Sequence, residues 1–429
     1  MAKNKKEMTP EERLAAALVP EEEQPYELPE GWKWVRLDGL ADIIMGQSPR
    51  GFDTTDDSSY TPLIGGAADM GAKELTPHKY TKVVTKLSRK NDLVLCIRAT
   101  LGRPVVSDGE YCLGRGVAGI RTIAGAVDWI RYYLIQSEPY LYEHATGSTF
   151  LQVTGKVLSD MPVPYPTVSE QQRLVARIES LFAKLDVAKE KVQAVLDAHE
   201  TRKATLLHDA FAGKLTAKWR KEHGIASDSW YTDTLKDLCV KITDGTHHSP
   251  PNTNKGDYMY VTAKNIKETG IMLDNITYVS SAVHDEIYSR CDVKKGDVLY
   301  IKDGATTGIA TVNTLDEPFS LLSSVAVLRP HEERLLPGYL KHLLNSSEQK
   351  SKMLNNMSGN AITRLTLSKI KATCIKVCSL SEQQEIVAVL DRLLGREEEV
   401  RQSAESVLAA IDSMKQSILA RAFRGELGA

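Results

Sequence analysis

The amino-acid sequence predicts an α+β protein: two mixed α/β domains in a pseudo-twofold arrangement, joined by two long antiparallel coiled-coil helices. Three observations carry that expectation. The first is an internal repeat. Ser169-Glu170-Gln171-Gln172 opens a segment closing at Ala210-Phe211-Ala212-Gly213-Lys214-Leu215, and 212 positions further on Ser381-Glu382-Gln383-Gln384 opens another closing at Ala422-Phe423-Arg424-Gly425-Glu426-Leu427. So long a period marks a duplicated domain and not a solenoid. The second is heptad spacing inside both copies, and the third is a shared order of short β-branched runs upstream of each.

The elements follow in order. Residues 1–29 form an N-terminal arm: Thr9 suits an N-cap with Pro10 at the first helical position, and an acidic linker runs from Pro20 to Pro29. The arm is expected to contact a partner or to be partly disordered. Residues 30–168 form the first domain, with Trp32 and Trp34 as packing anchors at its entry, a loop over 45–60, strands over 92–97 and 117–120 and a helix over 129–135. The first repeated helix occupies 169–219. The second domain, 220–380, has Trp230 at its entry, a loop over 243–257, strands over 297–301 and 325–328 and a helix over 336–345, and the second repeated helix is 381–429. Matching segments lie 205 positions apart at Asp92 and Asp297, 208 at Val117 and Val325, and 212 along the helices, so the differences between copies are loop insertions on one scaffold.

Each helix should run about 40 residues, or roughly 60 Å. Leu174, Ile178, Leu181, Leu185, Ala188, Val192 and Val195 alternate four and three apart, as do Ile386, Leu390, Leu393, Val400, Ala404, Val407, Ile411, Met414 and Ile418 around an interruption at Glu397. That is a heptad seam. Packing of each helix on its own domain alone is the simpler alternative, but a narrow seam present twice favours an antiparallel pair. Ser169 and Ser381 read as N-caps, with Gln172 and Gln384 at the reciprocal position, and Gly213 and Gly425 suit the chain exits.

Composition narrows the class. A net charge of −2 excludes a histone-like basic protein without excluding a local cationic face. No apolar run approaches the roughly 20 residues a membrane helix needs, and the Lys-rich N-terminus lacks the apolar stretch of a signal peptide. The six scattered cysteines read as free thiols, and a cytoplasmic location is expected.

Catalytic signatures are missing. Gly114-Arg115-Gly116-Val117-Ala118-Gly119 has the form of a dinucleotide fingerprint, but Val117 to Ile123 is β-branched and reads as the strand itself, and the aligned Leu322-Ser323-Ser324-Val325-Ala326-Val327 has no glycine. His247 and His248 lack companions at metal-ligand spacing. Pro250-Pro251 lacks the flanking residues of an adenine-methyltransferase motif. No catalytic residue, cofactor site or metal site is expected in this chain.

The Pro-Glu-Gly-Trp entry at 29–32, the doubled Ser-Glu-Gln-Gln helix starts and the doubled Ala-Phe-x-Gly-x-Leu helix ends resemble the specificity subunits of type I restriction-modification systems over nearly the whole chain from about residue 28. The resemblance implies a non-catalytic, double-stranded-DNA-binding subunit with two target-recognition domains. It implies docking to two methyltransferase subunits, which carry S-adenosylmethionine and methylate adenine N6, and to restriction subunits that use ATP. It implies no membrane partner.

The physics of such a reading is independent of the resemblance. Two domains on a rigid antiparallel spacer suit two half-sites about one DNA turn apart, ~34–36 Å, and dissimilar loops imply an asymmetric bipartite site. Arg pairs bidentately with guanine and Gln with adenine, while phosphate contacts position the duplex. In the first domain the candidate readers are Gln47, Ser48, Arg50, Arg98, Arg103, Arg115 and Gln152; in the second they are Thr246, His247, His248, Lys264, Asn265, Lys302 and Arg364. Arg121 and Arg329, which follow buried-looking strands, read as scaffold. The alternative function is a coiled-coil scaffold or adaptor whose globular halves bind protein.

Overall fold

The computed structural model describes residues 8–147, 149–226, 229–355 and 365–428. It separates into two compact units: residues 1–192 with 406–429, and residues 193–405. The long helices are α1 (Val168–Asp197), α2 (His199–Phe211) and α3 (Leu380–Phe423), so α1 and α3 each contribute to both units.

Unit 1 is built on the antiparallel strands β1 (Ala41–Met45), β2 (Leu93–Arg98), β3 (Thr100–Val106) and β4 (Val117–Thr122), in the order β1-β4-β2-β3. Strand β2 is apolar at nearly every position because both its faces are covered. Leu93, Leu95 and Ile97 pack with Trp129, Leu174, Ile178 and Phe423, whereas Val94 and Cys96 pack with Ile64, Met70 and Leu113 under a second, small sheet. Unit 2 repeats the plan with β5 (Cys239–Asp244), β6 (Val298–Ile301), β7 (Ala310–Val312) and β8 (Val325–Pro330), ordered β5-β8-β6-β7. There Val298 and Tyr300 face Phe211, Tyr339 and Leu390, and Leu299 and Ile301 face Val261 and Leu321.

The repeated motifs have matching mechanical roles. In unit 1 the buried Phe423 ring lies 4.4 Å from Trp129 and 5.1 Å from Tyr133, centroid to centroid. Trp129 Nε1 donates to the Pro164 carbonyl and Tyr133 Oη to that of Pro162. In unit 2 Phe211 lies 5.3 Å from Tyr339, whose hydroxyl donates to the Lys376 carbonyl. The fully buried Gln171 accepts at Oε1 from the Ala126 N–H (2.8 Å) and donates from Nε2 to the Pro166 carbonyl. Gln383 does the same with the Leu336 N–H (2.9 Å) and the Cys378 carbonyl. Each glutamine thereby caps the helix following β4 or β8 and fastens a long helix to it. Gly213 and Gly425 sit at φ +74° and +72°, and the Lys214→Asp209 and Glu426→Arg421 backbone bonds, both 2.8 Å, close Schellman turns as expected.

Several expectations are corrected. The caps of the long helices are Thr167 and Ser379, whose hydroxyls accept from the N–H groups of Glu170 and Glu382; Ser169 and Ser381 lie inside the first turn. The first repeated helix is interrupted at Ala198, where the Arg202 guanidinium donates to the Val195 carbonyl (3.1 Å), whereas α3 is continuous. Within unit 1, α1 runs antiparallel to the end of α3, joined by Lys189–Asp412 (2.9 Å) and Asp186–Lys415. Within unit 2, Arg202 of α2 meets Glu397 of α3 (2.7 Å). The seam is only partly buried: Leu174, Ile178, Ile386, Leu390, Ala404 and Ile411 are inside, but Val195, Val400, Val407 and Met414 are exposed. The described part of the N-terminal arm is packed and not loose. Helix Pro10–Ala16 carries a full capping box, Arg13 bonds the Asp38 carbonyl and Asp42, Ala17 and Val19 join the core, and Tyr26 Oη donates to the Phe423 carbonyl.

Arg121 and Arg329 are scaffold. Each is held by a buried aspartate at the start of the neighbouring strand, Asp92 (2.7 Å) and Asp297 (2.8 Å). The hydrogen bonds that the guanidinium groups donate to these carboxylates keep both guanidinium pKa values above their ordinary value. The same aspartates accept from the N–H groups of Arg89 and Lys294, closing turns at Asn91 (φ +71°) and Gly296 (φ +88°).

We predict that Phe423→Ala costs about 3–5 kcal/mol in unit 1, and Phe211→Ala a similar amount in unit 2. Hydrogen exchange should show lost protection in β2 with β6 unaffected for the first variant, and the reverse for the second. Equal loss in both strands from either variant would contradict the division of the cores.

Candidate nucleic-acid interface

Strand alternation and antiparallel pairing bring one end of each sheet together as a surface edge. In unit 1, β1 ends at Met45, β2 ends at Arg98 and β4 begins at Val117, all on the same side. The chain leaves β1 through Gly46, where a Cβ would lie 2.1 Å from the Gly114 carbonyl oxygen, so only glycine fits so close a backbone approach. Gln47 N–H then donates to Leu113 (2.8 Å), Thr85 Oγ1 donates to the Gln47 carbonyl, and Ser48 Oγ accepts from Arg115 N–H (3.2 Å). Arg98 pairs by a β-bridge with Gln152. Five expected readers thus converge: Gln47, Ser48, Arg98, Arg115 and Gln152, with only Arg98 half-buried. Arg50 lies along the chain from them, with its guanidinium 5.8 Å from the exposed Phe52 ring, and Arg103 donates to the Met70 carbonyl (3.3 Å).

Unit 2 presents the equivalent edge. Gly245 takes the place of Gly46: its Cβ would fall 1.9 Å from the Leu321 carbonyl oxygen, and the next N–H, that of Thr246, donates to that same carbonyl (2.8 Å). Ser323, at the register of Arg115, donates from its N–H to Thr246 (2.8 Å). Thr246 Oγ1 closes a turn on His248, leaving His247 and His248 exposed. Lys264 is exposed on the adjacent turn.

Two second-domain readers are overturned. Lys302 is only 6% exposed, with Nζ 2.8 Å from Asp303 and 3.4 Å from Asp244, itself 4% exposed. Its backbone holds the register of Ile97: Val153 N–H donates to Ile97, and Leu365 N–H donates to Lys302. A buried ion pair replaces an apolar contact there, so Lys302 supports the edge from beneath. Asn265 is also buried; Oδ1 accepts from Thr262 N–H (3.0 Å) and Nδ2 donates to the Met272 carbonyl (3.2 Å), fixing a turn. Arg364 lies outside the described residues.

The edge also holds residues that were not expected. Asp303 occupies the register of Arg98, and Arg290 reaches Asp244 (3.4 Å) and donates to the Gly245 carbonyl. The offset of 205 between Asp92 and Asp297 carried the signal for Asp303. Nothing local in the sequence marks Arg290, which reaches the edge from a separate helix, Ser281–Arg290.

All six cysteines are free; burial pushes the Cys96 thiol up to about 11 and those of Cys239, Cys291 and Cys378 up to about 12, which keeps them protonated. Among the described residues no group of three or more His, Cys, Asp or Glu side chains is arranged to hold a metal ion, and no helix is long and apolar enough to cross a membrane.

Two domains that repeat the same sheet order and offer equivalent sheet edges define a duplicated α/β fold. The family model for the type I restriction modification DNA specificity domain matches residues 29–197 and again 227–405. The chain belongs to that family, that of the type I restriction-modification specificity subunits. It is 27% identical over 196 residues to the putative MjaX specificity subunit of Methanocaldococcus jannaschii, covering 45% of each chain. It is 23% identical over 303 residues to the EcoBI specificity subunit of Escherichia coli, covering 67% of this chain and 62% of that one. The aligned region thus spans roughly half to three-fifths of these relatives. Among solved structures, the HsdS subunit from Thermoanaerobacter tengcongensis shares the fold at 20% identity and a TM-score of 0.59, covering 94% of this chain and all of that one. A chain from a structure describing complex assembly and conformational transition of the type I R-M system gives the same identity and coverage with a TM-score of 0.74.

We predict that Lys302→Met destabilises unit 2 by about 3–5 kcal/mol, since it takes one cation from the buried Asp244, which keeps Arg290, and takes the cation from the half-buried Asp303, and leaves the sequence preference of DNA binding unaltered. Thermal melting and binding to single-base variants check the two halves of that statement. A changed base preference at full stability would restore Lys302 as a reader.

Proposed function

We propose that this chain is the DNA-reading subunit of a type I restriction-modification complex, recognising an asymmetric bipartite site through its two sheet edges. One observation carries the reading: the same glycine turn, with the same backbone hydrogen bond after it, is followed by Gln47-Ser48 in one unit and Thr246-His247 in the other. A common frame bearing different hydrogen-bonding side chains suits two half-sites of different sequence. In this reading Gln47, Ser48, Arg98, Arg115 and Gln152 serve the first half-site; Thr246, His247, His248 and Lys264 serve the second, with Arg364 as a further reader. Arg and Gln discriminate bases in the major groove, and Lys264 and Arg50 neutralise phosphates.

The long helices act as the spacer that sets the unread gap. Methyltransferase subunits dock on the chain, supported by the apolar surface that α1 and α3 leave exposed: Val187, Val407 and Met414 in unit 1, Val195 and Val400 in unit 2. S-adenosylmethionine and ATP belong to the methyltransferase and restriction subunits, and this chain has no catalytic role. Its task during methylation is to hold the duplex while the target adenine is turned out of the helix.

Two outcomes test the reading. Arg115→Ala should relax one base position in one half-site, costing on the order of 1–3 kcal/mol if the contact is bidentate. The measurement is binding of the methyltransferase-assembled complex to single-base variants at fixed salt. Uniform weakening across that panel would make Arg115 a phosphate contact. Whole heptads inserted into α1 near Lys191 and α3 near Ser403 should lengthen the gap in the methylated motif; an unchanged gap at full activity would remove the helices as the ruler.

A further inference from the structure

An apolar tip projects beside the first reading edge. Phe150 is 60% exposed and Leu151 37%, although both directly precede the exposed reader Gln152. The base of the tip is tied down. Thr146 and Gln152 exchange both backbone hydrogen bonds (2.9 and 2.8 Å), and Gly147 turns the chain at φ +115°, where a Cβ would stand 2.3 Å from the Phe150 carbonyl oxygen. From the other side Ala99 N–H donates to the Leu151 carbonyl and Val153 N–H to that of Ile97, both 2.9 Å, while the Val153 side chain is wholly buried. The backbone that carries two solvent-facing hydrophobic side chains is therefore braced against the end of β2.

Exposing an aromatic ring on a rigid mount costs solvation free energy without gaining loop entropy, so the arrangement points to an occupant. The neighbours say which. Arg98 is bridged to Gln152, and Ile97 N–H donates to the Gly116 carbonyl, next to Arg115. An apolar side chain between cationic and amide groups matches a nucleic-acid duplex, with phosphates and base edges for the polar groups and a base step for the ring. Phe and Leu are residue types that enter base steps and partly unstack them.

We infer that Phe150, with Leu151 behind it, is a wedge that enters the base stack beside the first half-site and opens one step there. The inference rests on the DNA-reading function proposed above. A wedge so placed loosens the duplex before the methyltransferase turns out its adenine, and a pre-ordered mount means that little freedom is lost on insertion.

The test uses the chain assembled with its methyltransferase subunits, on duplexes carrying the methylated motif with 2-aminopurine placed in turn at each unread position beside the first half-site. With the native chain, emission should rise at one step as that base unstacks. Phe150→Ala should return that step to the emission of free duplex and weaken binding roughly tenfold, with the motif and the melting temperature unchanged; Phe150→Leu should retain part of the signal. The wedge is overturned if the native complex binds tightly and no unread step brightens, or if Phe150→Ala leaves the bright step intact. A shift in the methylated motif on Phe150→Ala would make Phe150 a base reader, and loss of methyltransferase assembly would make the tip a protein contact; either overturns the wedge. If the native complex binds no motif DNA at all, it is the DNA-reading function that fails, and the inference with it.

Discussion

Each sheet depends on helix ends to close its inner face. The strands β2 and β6 are apolar on both sides, and local helices share the cover of the helix-facing side with the ends of the long helices. The long helices' share comes from the Ala-Phe-x-Gly-x-Leu ends: Phe423 reaches Trp129 and Tyr133 in unit 1, and Phe211 reaches Tyr339 in unit 2. Aromatic pairs of this kind contribute about 0.5–1.5 kcal/mol beyond the area they bury. Unit 1 is therefore completed by residues more than two hundred positions away in sequence, and the glutamines of the Ser-Glu-Gln-Gln starts fix the angle at which each helix enters. Gly425 at φ +72° lets the chain turn tightly enough for Pro29 to close over it; a Cβ there would lie 2.3 Å from the Pro29 ring.

With stability held in the sheets and helix ends, the opposite edge is free to vary. The Arg121–Asp92 and Arg329–Asp297 pairs and the glycines at 46 and 245 hold the backbone, and the side chains that follow those glycines face solvent and carry little of the packing energy. Substitution there changes hydrogen-bonding chemistry at small cost to the fold, which is the property a recognition surface needs. The floor of the edge has itself diverged, from Ile97 in unit 1 to the Lys302–Asp244–Asp303 cluster in unit 2.

The scaffold was legible where signals are periodic. The strands expected over 92–97 and 297–301 are found at Leu93–Arg98 and Val298–Ile301, and the helices expected over 129–135 and 336–345 at Val127–Gln136 and Pro337–Asn345. What escaped depended on partners distant in the chain. Lys302 reads as a surface cation until Asp244, 58 residues earlier, is folded against it. Asn265 looks like a reader until its amide is seen to close a turn onto Met272. At the break beside Ala198 the Arg202 side chain occupies the Val195 carbonyl, a contact that heptad spacing does not register. The correspondence of Gly46 with Gly245 was hidden because it lies 199 positions apart, outside the offsets that align the helices and strands.

The central claim is that each unit reads its own half-site on a frame common to both. The most direct measurement is methylome sequencing of cells in which residues 30–168 have been exchanged for the matching segment of a relative, alongside cells carrying the native chain. The proposed function predicts an asymmetric bipartite motif in which the exchange alters one half and leaves the other half and the gap unchanged. Simultaneous change in both halves, or a single uninterrupted motif for the native chain, would contradict it.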